Sequence, residues 1–269
     1  MARSIWAVTK LSDGGISALN TIDSSKVFAA HADSWQAHGR LWEPYGGGTA
    51  EFGGWRLMAS GLPYAYFNAA CVTDPALADK NIVRARAWYR KRNLSWGAIV
   101  PSGSSWPHGR HFRTQRLMAT VPSSFSIAPA PSGLVLRRAG SGDVETVASI
   151  DSGAFGSPVA VSRAWLEPLC ISAEVELAIG ELDGQPVATG YATRCDGDAG
   201  PSLYVGGIGV LPAVRRRGIA AALLTWLLTS GFEDGTWFAH LQTDSANAAR
   251  LYSKLGFEEF NGIDIYADL

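Results

Sequence analysis

The sequence predicts a mixed α/β fold, in which a mixed β-sheet carries helices on both faces. The main reason is the order of elements over residues 134–269, which is strand, helix, three strands, helix, strand, helix and strand. A second reason is the segment 216–230, whose aliphatic side chains fall in two adjacent helical rows and form the wide apolar stripe of a packed helix. Hydrophobic residues make up 47% of the 269 residues and charged residues 17%, which allows a large core and argues against a disordered chain.

Each element of this half has a local signal. The predicted strands are residues 134–138, 176–182 and 186–194 with a turn at Asp183-Gly184, 203–210 and 237–242, and the predicted helices are 143–154, 216–230 and a segment from a cap at Asp244 or Ser245 to Gly256. Gly231 is a natural stop for the helix before it. Residues 257–269 are expected to form a last hairpin around Asn261-Gly262.

The strand 203–210 and the turn after it form the most informative part of the chain. Gly206, Gly207 and Gly209 are unusual inside a strand and indicate a bulge or the close approach of another group. The strand leads through a short turn into the helix 216–230. The first N–H groups of a helix have no internal partner and the helix dipole adds partial positive charge, so this turn is a candidate anion site.

The residues of this turn resemble a known family. Arg215-x-x-Gly218-x-Ala220 is similar to the (Gln/Arg)-x-x-Gly-x-(Gly/Ala) pyrophosphate loop of the GNAT (GCN5-related N-acetyltransferase) superfamily. Further on, Asn247 and Tyr252 share a predicted helix that ends before Gly-Phe, which is similar to the second signature of that family. Both signatures occur in the order and separation of the family, and the resemblance covers residues 133–269.

The resemblance implies an enzyme that transfers an acyl group, by default acetyl, from acyl-CoA to an amine in a ternary complex, with no metal. The implied cofactor-binding residues are Ile208, Gly209, Val210, Arg215, Arg216, Arg217, Gly218, Ile219, Ala220, Ala221, Asn247 and Tyr252. In this family the backbone N–H at the position of Val210 stabilises the thioester oxygen during attack. Tyr252 would also give a proton to the departing thiolate.

The base that removes a proton from the amine is less clear. Many family members place a Glu or Asp six residues before the position of Val210, where this chain has Tyr204, and the strand contains no carboxylate. Three options remain: a relay through Tyr204 and water, a carboxylate or His from the first half, or an amine of low pKa. Tyr204 is therefore a second candidate catalytic residue, although a residue of this type in a strand more often belongs to the core.

The first half repeats the order of elements in weaker form. Strands are predicted at residues 55–59, 64–72 and 96–100, and a helix at 76–92. The residues at the start of that helix include no glycine, and Asp79 would repel a phosphate. A Pro- and Ser-rich stretch over residues 122–133 separates the halves. These observations predict tandem GNAT-like domains: a degenerate one at 1–128 that walls the acceptor side, a linker at 129–133 and an acyl-CoA-binding catalytic domain at 134–269.

Three histidines give weaker signals. His31 and His38 lie seven residues apart on a possible helix and are expected at the surface or between the domains. His240 faces the opposite side of its strand from its neighbours and could border the ligand cleft.

Composition limits the partners and the location. The net charge of −1 gives no field that would gather nucleic acid or an anionic membrane, and no apolar run approaches the length of a bilayer span. The three cysteines are far apart, and Lys10 and Asp13 come too early for a secretory leader, so a cytoplasmic protein is expected. We expect a small-molecule amine as the partner of a monomer or homodimer. The alternatives are acetylation of a protein N-terminus or lysine, and an acyl-CoA sensor without turnover.

Overall fold

The computed structural model describes residues 22–267, and one sheet of eleven strands runs through them. The strands are β1 (Gly48–Phe52), β2 (Trp55–Ala59), β3 (Ala69–Val72), β4 (Gly97–Pro101), β5 (Arg110–Thr120), β6 (Leu134–Arg138), β7 (Val175–Leu182), β8 (Gln185–Cys195), β9 (Ser202–Val210), β10 (Phe238–Thr243) and β11 (Glu258–Ala267). The helices are α1 (Ser24–Leu41), α2 (Pro75–Arg90), α3 (Val144–Phe155), α4 (Val159–Ile171), α5 (Ile219–Glu233) and α6 (Ala246–Lys254). The predicted mixed α/β fold is confirmed. The opening residues, including Lys10 and Asp13, lie outside the described residues.

The strands follow the order β1-β2-β3-β4-β11-β5-β10-β9-β8-β7-β6 across the sheet. Two neighbouring pairs are parallel, β3 with β4 and β9 with β10, and the other pairs are antiparallel. A helix joins the strands of each parallel pair, α2 in the first half and α5 in the second. Each half therefore contains one strand–helix–strand unit, while the duplication of a GNAT-like domain stays a prediction.

The two halves exchange a strand. β5 from the first half pairs with β10 of the second, and β11 at the end of the chain lies between β5 and β4. Residues 110–120 thereby extend the strands of the second half, and residues 258–267 extend those of the first. The sheet is continuous across the predicted boundary, and the division at residues 128–134 stays a prediction.

The hairpin predicted around Asn261-Gly262 is wrong. β11 is one strand, and its pairing with β5 shifts between Phe260 and Ile263. Asn261 and Gly262 lie between them without a partner in β5 and form a bulge. A Cβ on Gly262 would lie 2.4 Å from the carbonyl oxygen of Gln115 in β5. The residue pair that favours a turn becomes a bulge because β11 is held between two neighbouring strands.

The prediction that Gly231 ends a helix is also wrong. α5 continues through this residue to Glu233, and Gly231 is buried. A Cβ there would lie 2.4 Å from Leu203 Cδ2 of β9, so the glycine permits close packing of the helix on the sheet. The left-handed glycine beyond the helix is Gly235, with φ of 90°.

α4 was not predicted from the sequence. It contains Pro168 and begins after Pro158, and both prolines argue against a helix when the sequence is read alone. Pro168 is buried, and α4 packs beside α3 at the end of the sheet. The tertiary contact therefore outweighs the local propensity.

α1 lies between the two halves and contacts β1 and β2 of the first and β8 and β9 of the second. Its His31 and His38 are 0% and 2% exposed. A surface position for these histidines is therefore wrong, whereas a position between the halves is right.

A buried ion cluster joins the halves beside α1. Arg56 of β2 is 5% exposed and pairs with Asp33 of α1 at 2.5 Å and with Asp198 in the loop between β8 and β9. Asp33 also accepts the N–H of Ala199 from that loop at 3.1 Å. Because a buried charge needs a partner, this cluster fixes the loop of the second half to the first.

Candidate active site

A cleft opens where the parallel strands β9 and β10 part. Their pairing stops at Tyr204 and His240, while β9 continues to Val210 and β10 to Thr243. The cleft has a volume of about 830 Å³ and is bounded by the start of α5 and by α6. The predicted site residues that line it are Ile208, Gly209, Val210, Arg215, Arg216, Gly218, Ile219, Ala220, Ala221, Asn247 and Tyr252. Arg217 and Tyr204 are not among its lining residues.

Several lining residues were missed in the sequence. Gln115 comes from β5 of the first half, and Ala154 and Phe155 come from the end of α3. A Cβ on Gly209 would lie 3.0 Å from both side chains of that helix end, so α3 packs tightly against the end of β9. This contact joins distant segments and leaves no local signal. Residues 242–245 also line the cleft, and the rule that sites form at the carboxyl ends of parallel strands could have found them.

The glycines of β9 form a bulge and also allow a close approach of another side chain, the two explanations that the sequence indicated. The register against β8 shifts between Thr189 and Tyr191, so β9 carries an extra residue, and Gly207 has φ of 61°. The ring of Tyr191 also lies against the bulge, since a Cβ on Gly206 or Gly207 would come within 2.6 or 2.9 Å of it. A bulge bends its strand, and this one does so just before the cleft.

The turn between β9 and α5 follows a left-handed path. Arg216 has φ of 66° and Gly218 has φ of 83°, so the helix begins at Ile219, three residues later than predicted. The first helical hydrogen bond runs from the N–H of Ala222 to the carbonyl of Gly218. The three N–H groups before it have no acceptor within the helix and lie at the positive end of its dipole.

Arg215 holds this turn together. Its Nε donates to the carbonyl of Val210 at 2.9 Å, and its Nη2 donates to the carbonyl of Ala154 at 2.7 Å. The guanidinium thereby joins the turn, the end of β9 and the end of α3. Arg216 lines the cleft directly, whereas Arg217 is exposed outside it.

Tyr252 lies on α6 and is 8% exposed. Burial, with a smaller contribution from nearby Tyr204, raises the pKa of its phenol to about 12. The ring packs beside Phe257 with centroids 5.8 Å apart. The phenol is therefore protonated at neutral pH and borders the cleft. Ser245 caps this helix, as predicted, by accepting the N–H of Ala248.

Tyr204 lies behind the cleft among buried histidines. Its ring centroid is 5.4 Å from that of His38 and 5.5 Å from that of His240. Burial raises the pKa of Tyr204 to about 12, although hydrogen bonding with Gln242 and Tyr191 opposes the shift. His38, which comes from the first half, therefore lies beside Tyr204 and outside the lining of the cleft.

Burial keeps these histidines neutral. It lowers the pKa of His31 to about 3, that of His38 to about 4, and that of His240 well below its usual value. His31 Nε2 accepts from Trp35 at 3.0 Å. Neither ring nitrogen of His240 has a hydrogen-bond partner among residues 22–267. His240 is fully buried behind the cleft rather than at its border.

The family assignment follows from the second half. Residues 146–257 match the model of the Acetyltransferase (GNAT) family, and both predicted signatures fall in this range or reach its end. The chain contains a GNAT acetyltransferase domain. No curated protein matches the sequence.

Solved structures extend the likeness of fold beyond the GNAT domain. A GCN5-related N-acetyltransferase from Kribbella flavida has 21% identity and a TM-score of 0.67, over 89% of this chain and 95% of that chain. One from Sphaerobacter thermophilus has 18% identity and a TM-score of 0.56, over 90% and 91%. A tandem GNAT protein from the clavulanic acid biosynthesis pathway has 15% identity and a TM-score of 0.54, over 79% and 77%. The whole chain therefore shares its fold with GNAT and tandem GNAT proteins.

The counterpart of the GNAT turn in the first half is closed. The side chain of Asp74 caps α2 by accepting the N–H of Leu77 at 3.0 Å. The turn between β1 and β2 covers the same helix end, since a Cβ on Gly54 would lie 2.4 Å from the carbonyl oxygen of Asp74. This closure supports the prediction that the first half does not bind the cofactor.

Residues 22–267 contain neither a metal-binding cluster nor a membrane-spanning helix. This range contains no group of three or more His, Cys, Asp or Glu side chains that could hold a metal ion. None of its helices is both long and apolar enough to cross a membrane.

Proposed function

We propose that the protein is an acyl-CoA-dependent N-acyltransferase that transfers an acyl group, by default acetyl, to the amine of a small molecule. The observation that carries the proposal is that the open edge of β9, the first turn of α5 and Tyr252 line one cleft. The match of residues 146–257 to the acetyltransferase family supports acyl transfer. Gln115 of the first half also lines the cleft, which supports an acceptor site formed with the first half.

The start of α5 fits a diphosphate. Gly218 lines the cleft, and the nearest atom to the place of a Cβ there is Pro131 Cγ at 3.6 Å, so the backbone is accessible to a bulky anion. The free N–H groups of the first helical turn would bind phosphate oxygens, and Arg216 adds a cation. Beyond Tyr204 the edge of β9 that faces β10 has no strand partner, so it can pair with an extended pantetheine arm.

The backbone of Val210 supports a role in catalysis. The N–H of Leu211 donates to the carbonyl of Val187 in β8 at 2.9 Å. Backbone groups of successive strand residues point to opposite edges, so the N–H of Val210 points away from β8 and toward the cleft. An N–H in this place would stabilise the negative charge that develops on the thioester oxygen as the amine attacks.

Tyr252 would complete the transfer. As the carbon–sulfur bond breaks, its phenol donates a proton to the sulfur and later regains one. The raised pKa of Tyr252 keeps the phenol protonated at neutral pH, so the proton is present when the thiolate leaves.

Removing that proton donor is expected to slow turnover and to spare binding. We expect Tyr252→Phe to lower kcat roughly 100-fold while the Kd for coenzyme A changes by less than about 3-fold. Tyr45→Phe is the matched control, because Tyr45 is 47% exposed and lies outside the cleft. Steady-state kinetics and calorimetric titration with coenzyme A measure the two effects, and undiminished turnover in Tyr252→Phe would remove the proposed role.

The function itself is tested by release of free thiol from acetyl-CoA in the presence of a panel of small amines. We expect amine-dependent release together with the acetylated amine in the mass spectrum. Tight binding of acetyl-CoA without release under any amine would favour a sensor, which the lack of a carboxylate on β9 would then explain.

A further inference from the structure

A carboxylate close to the cleft, that of Asp151, has no cationic partner within residues 22–267. Asp151 is on α3, one helical turn before Ala154 and Phe155, which line the cleft. The side chain is half-buried, and its Oδ2 accepts a hydrogen bond from Ser162 Oγ of α4 at 2.6 Å. Asp151 takes part in none of the ion pairs that Arg and His side chains form within residues 22–267. A partly desolvated carboxylate of this kind attracts a cation.

An aromatic cluster extends from α4, the helix that carries Ser162, to the first half. Trp165 lies one turn after Ser162 on α4 and stacks on Phe67 with centroids 4.4 Å apart and planes at 10°. Tyr66 packs against Phe67 at 4.2 Å and remains 56% exposed. Exposed aromatic rings beside a carboxylate suit an amine that carries a positive charge and an apolar body.

Asp151 also lies within electrostatic range of two tyrosines. These are Tyr66 of the first half and Tyr191 of β8, whose pKa values its charge helps to raise. Tyr191 lies directly against the bulge at Gly206 and Gly207, which precedes the cleft residues of β9. The carboxylate is therefore near enough to interact with the exposed ring of Tyr66 and with the tyrosine that packs against the bulge of β9.

From this arrangement we propose that Asp151 binds the ammonium group of an aliphatic amine substrate and removes its proton, with Ser162 holding the carboxylate and Tyr66 and Phe67 forming the acceptor wall. This inference rests on the proposed acyltransferase function and identifies the base that β9 lacks. The carboxylate is on the second half, so it is not among the three options for the base that the sequence left open.

The protons balance as follows. The ammonium loses one proton to Asp151, which passes it to solvent, and the free amine nitrogen then attacks the thioester carbon. The carbon–sulfur bond breaks, and Tyr252 protonates the sulfur. The second proton of the nitrogen replaces the one that Tyr252 gave up. The ammonium ion and acyl-CoA therefore yield the amide, the free thiol and one proton released to water.

The other titratable groups near Asp151 leave it as the group suited to accept this proton. Burial raises the pKa of Asp151 and so moves it toward neutral pH, where a general base works best. The pKa values of Tyr66 and Tyr191 are also raised, so these phenols stay protonated. On α4, Arg163 pairs with Glu145 at 3.1 Å. His38 of α1, which contacts Tyr191, has a pKa of about 4 and stays neutral.

The test compares Asp151→Asn with wild type on two amines. With an aliphatic amine at about pH 7 we expect kcat/KM to fall roughly 100-fold, whereas an aromatic amine that is already neutral should lose less than about 5-fold. For the aliphatic amine, the ratio of kcat/KM between wild type and Asp151→Asn should become smaller as the pH rises toward the pKa of that amine. Ser162→Ala should show the same pattern more weakly, because it removes only the group that holds the carboxylate.

Controls separate this inference from the proposed function. Asp196→Asn changes an exposed carboxylate in the loop between β8 and β9 and should leave both amines unaffected. The Kd for coenzyme A and the Tm of Asp151→Asn should match wild type. If Asp151→Asn lowers kcat/KM equally for both amines, or for neither, the role of Asp151 is overturned while acyl transfer stands. Wild type that acetylates no amine would instead overturn the proposed function.

Discussion

Gly218→Glu is expected to abolish binding of coenzyme A. Gly218 has φ of 83°, a conformation that side chains other than glycine rarely adopt, and it lines the cleft at the start of α5. Backbone strain of about 1–3 kcal/mol adds to the loss of phosphate contacts and to repulsion between two anions. We expect the Kd for coenzyme A to rise roughly 1000-fold, which corresponds to about 4 kcal/mol.

Calorimetric titration measures this change in Kd, and a second glycine, which lies beyond the other end of α5, provides the control. Gly235 follows the other end of α5 with φ of 90°, and nothing lies within 4 Å of the place of its Cβ. Gly235→Glu therefore introduces the same charge and a similar backbone strain far from the cleft. It should lower the Tm and leave the Kd for coenzyme A unchanged. If Gly218→Glu still binds with the wild-type Kd, the phosphate site lies elsewhere.

Mild acid is expected to destabilise the protein strongly, because three buried histidines stay neutral in the folded state. The folded pKa values are about 3 for His31, about 4 for His38 and well below the usual value for His240. In the unfolded chain a histidine takes up a proton near its ordinary pKa of 6.5. Below that pH the unfolded state binds protons that the folded state does not, so the free energy of unfolding falls as the pH falls.

The size of this effect can be measured between about pH 7.5 and about pH 5. At the lower pH each of these histidines costs about 2 kcal/mol of stability, or about 6 kcal/mol for all three. Asp151 has a raised pKa and acts in the opposite direction, but it is one group against three. Asp143 and Asp264 have lowered pKa values, so their contribution is lost only at more acidic pH. Urea titrations at both pH values give the free energy of unfolding.

Single variants connect this effect to particular residues. His240→Phe should reduce the loss between about pH 7.5 and about pH 5 by roughly a third, because its ring lies beside Phe238 and its nitrogens have no partner in the described chain. His111→Gln changes a histidine whose side chain is 49% exposed, and it should leave the loss unchanged. A free energy of unfolding that is equal at both pH values in wild type would contradict the neutral state of these histidines.

The local parts of the candidate site could be read from the sequence. The turn from Arg215 to Ala220, the bulge glycines and the helix that carries Tyr252 depend on neighbouring residues, so pattern and spacing predict them. The role of the Arg215 side chain could not be predicted in the same way. The carbonyl that it binds, that of Ala154, belongs to α3. Along the chain, α4 and the strands β7, β8 and β9 lie between that helix and Arg215.

The same limit explains Asp151. In the sequence it is an ordinary polar residue of an amphipathic helix. Its neighbours Ser162, Tyr66 and Tyr191 come from α4, from the first half and from β8, and only the packing of these elements brings them together. A carboxylate without a cationic partner becomes visible only when its surroundings are known.

By itself the sequence determined the class of fold, the elements of the second half other than α4 and β11, and the turn that opens α5. Hydrophobic period, glycine conformation and helix ends act within a few residues, so local patterns predict these features. The tertiary structure alone decided that Gly231 continues a helix, that Asn261-Gly262 is a bulge and that β5 and β11 are exchanged between the halves. These outcomes depend on contacts between segments far apart in the chain, where packing against a neighbour outweighs the preference of a residue for a turn or a helix end.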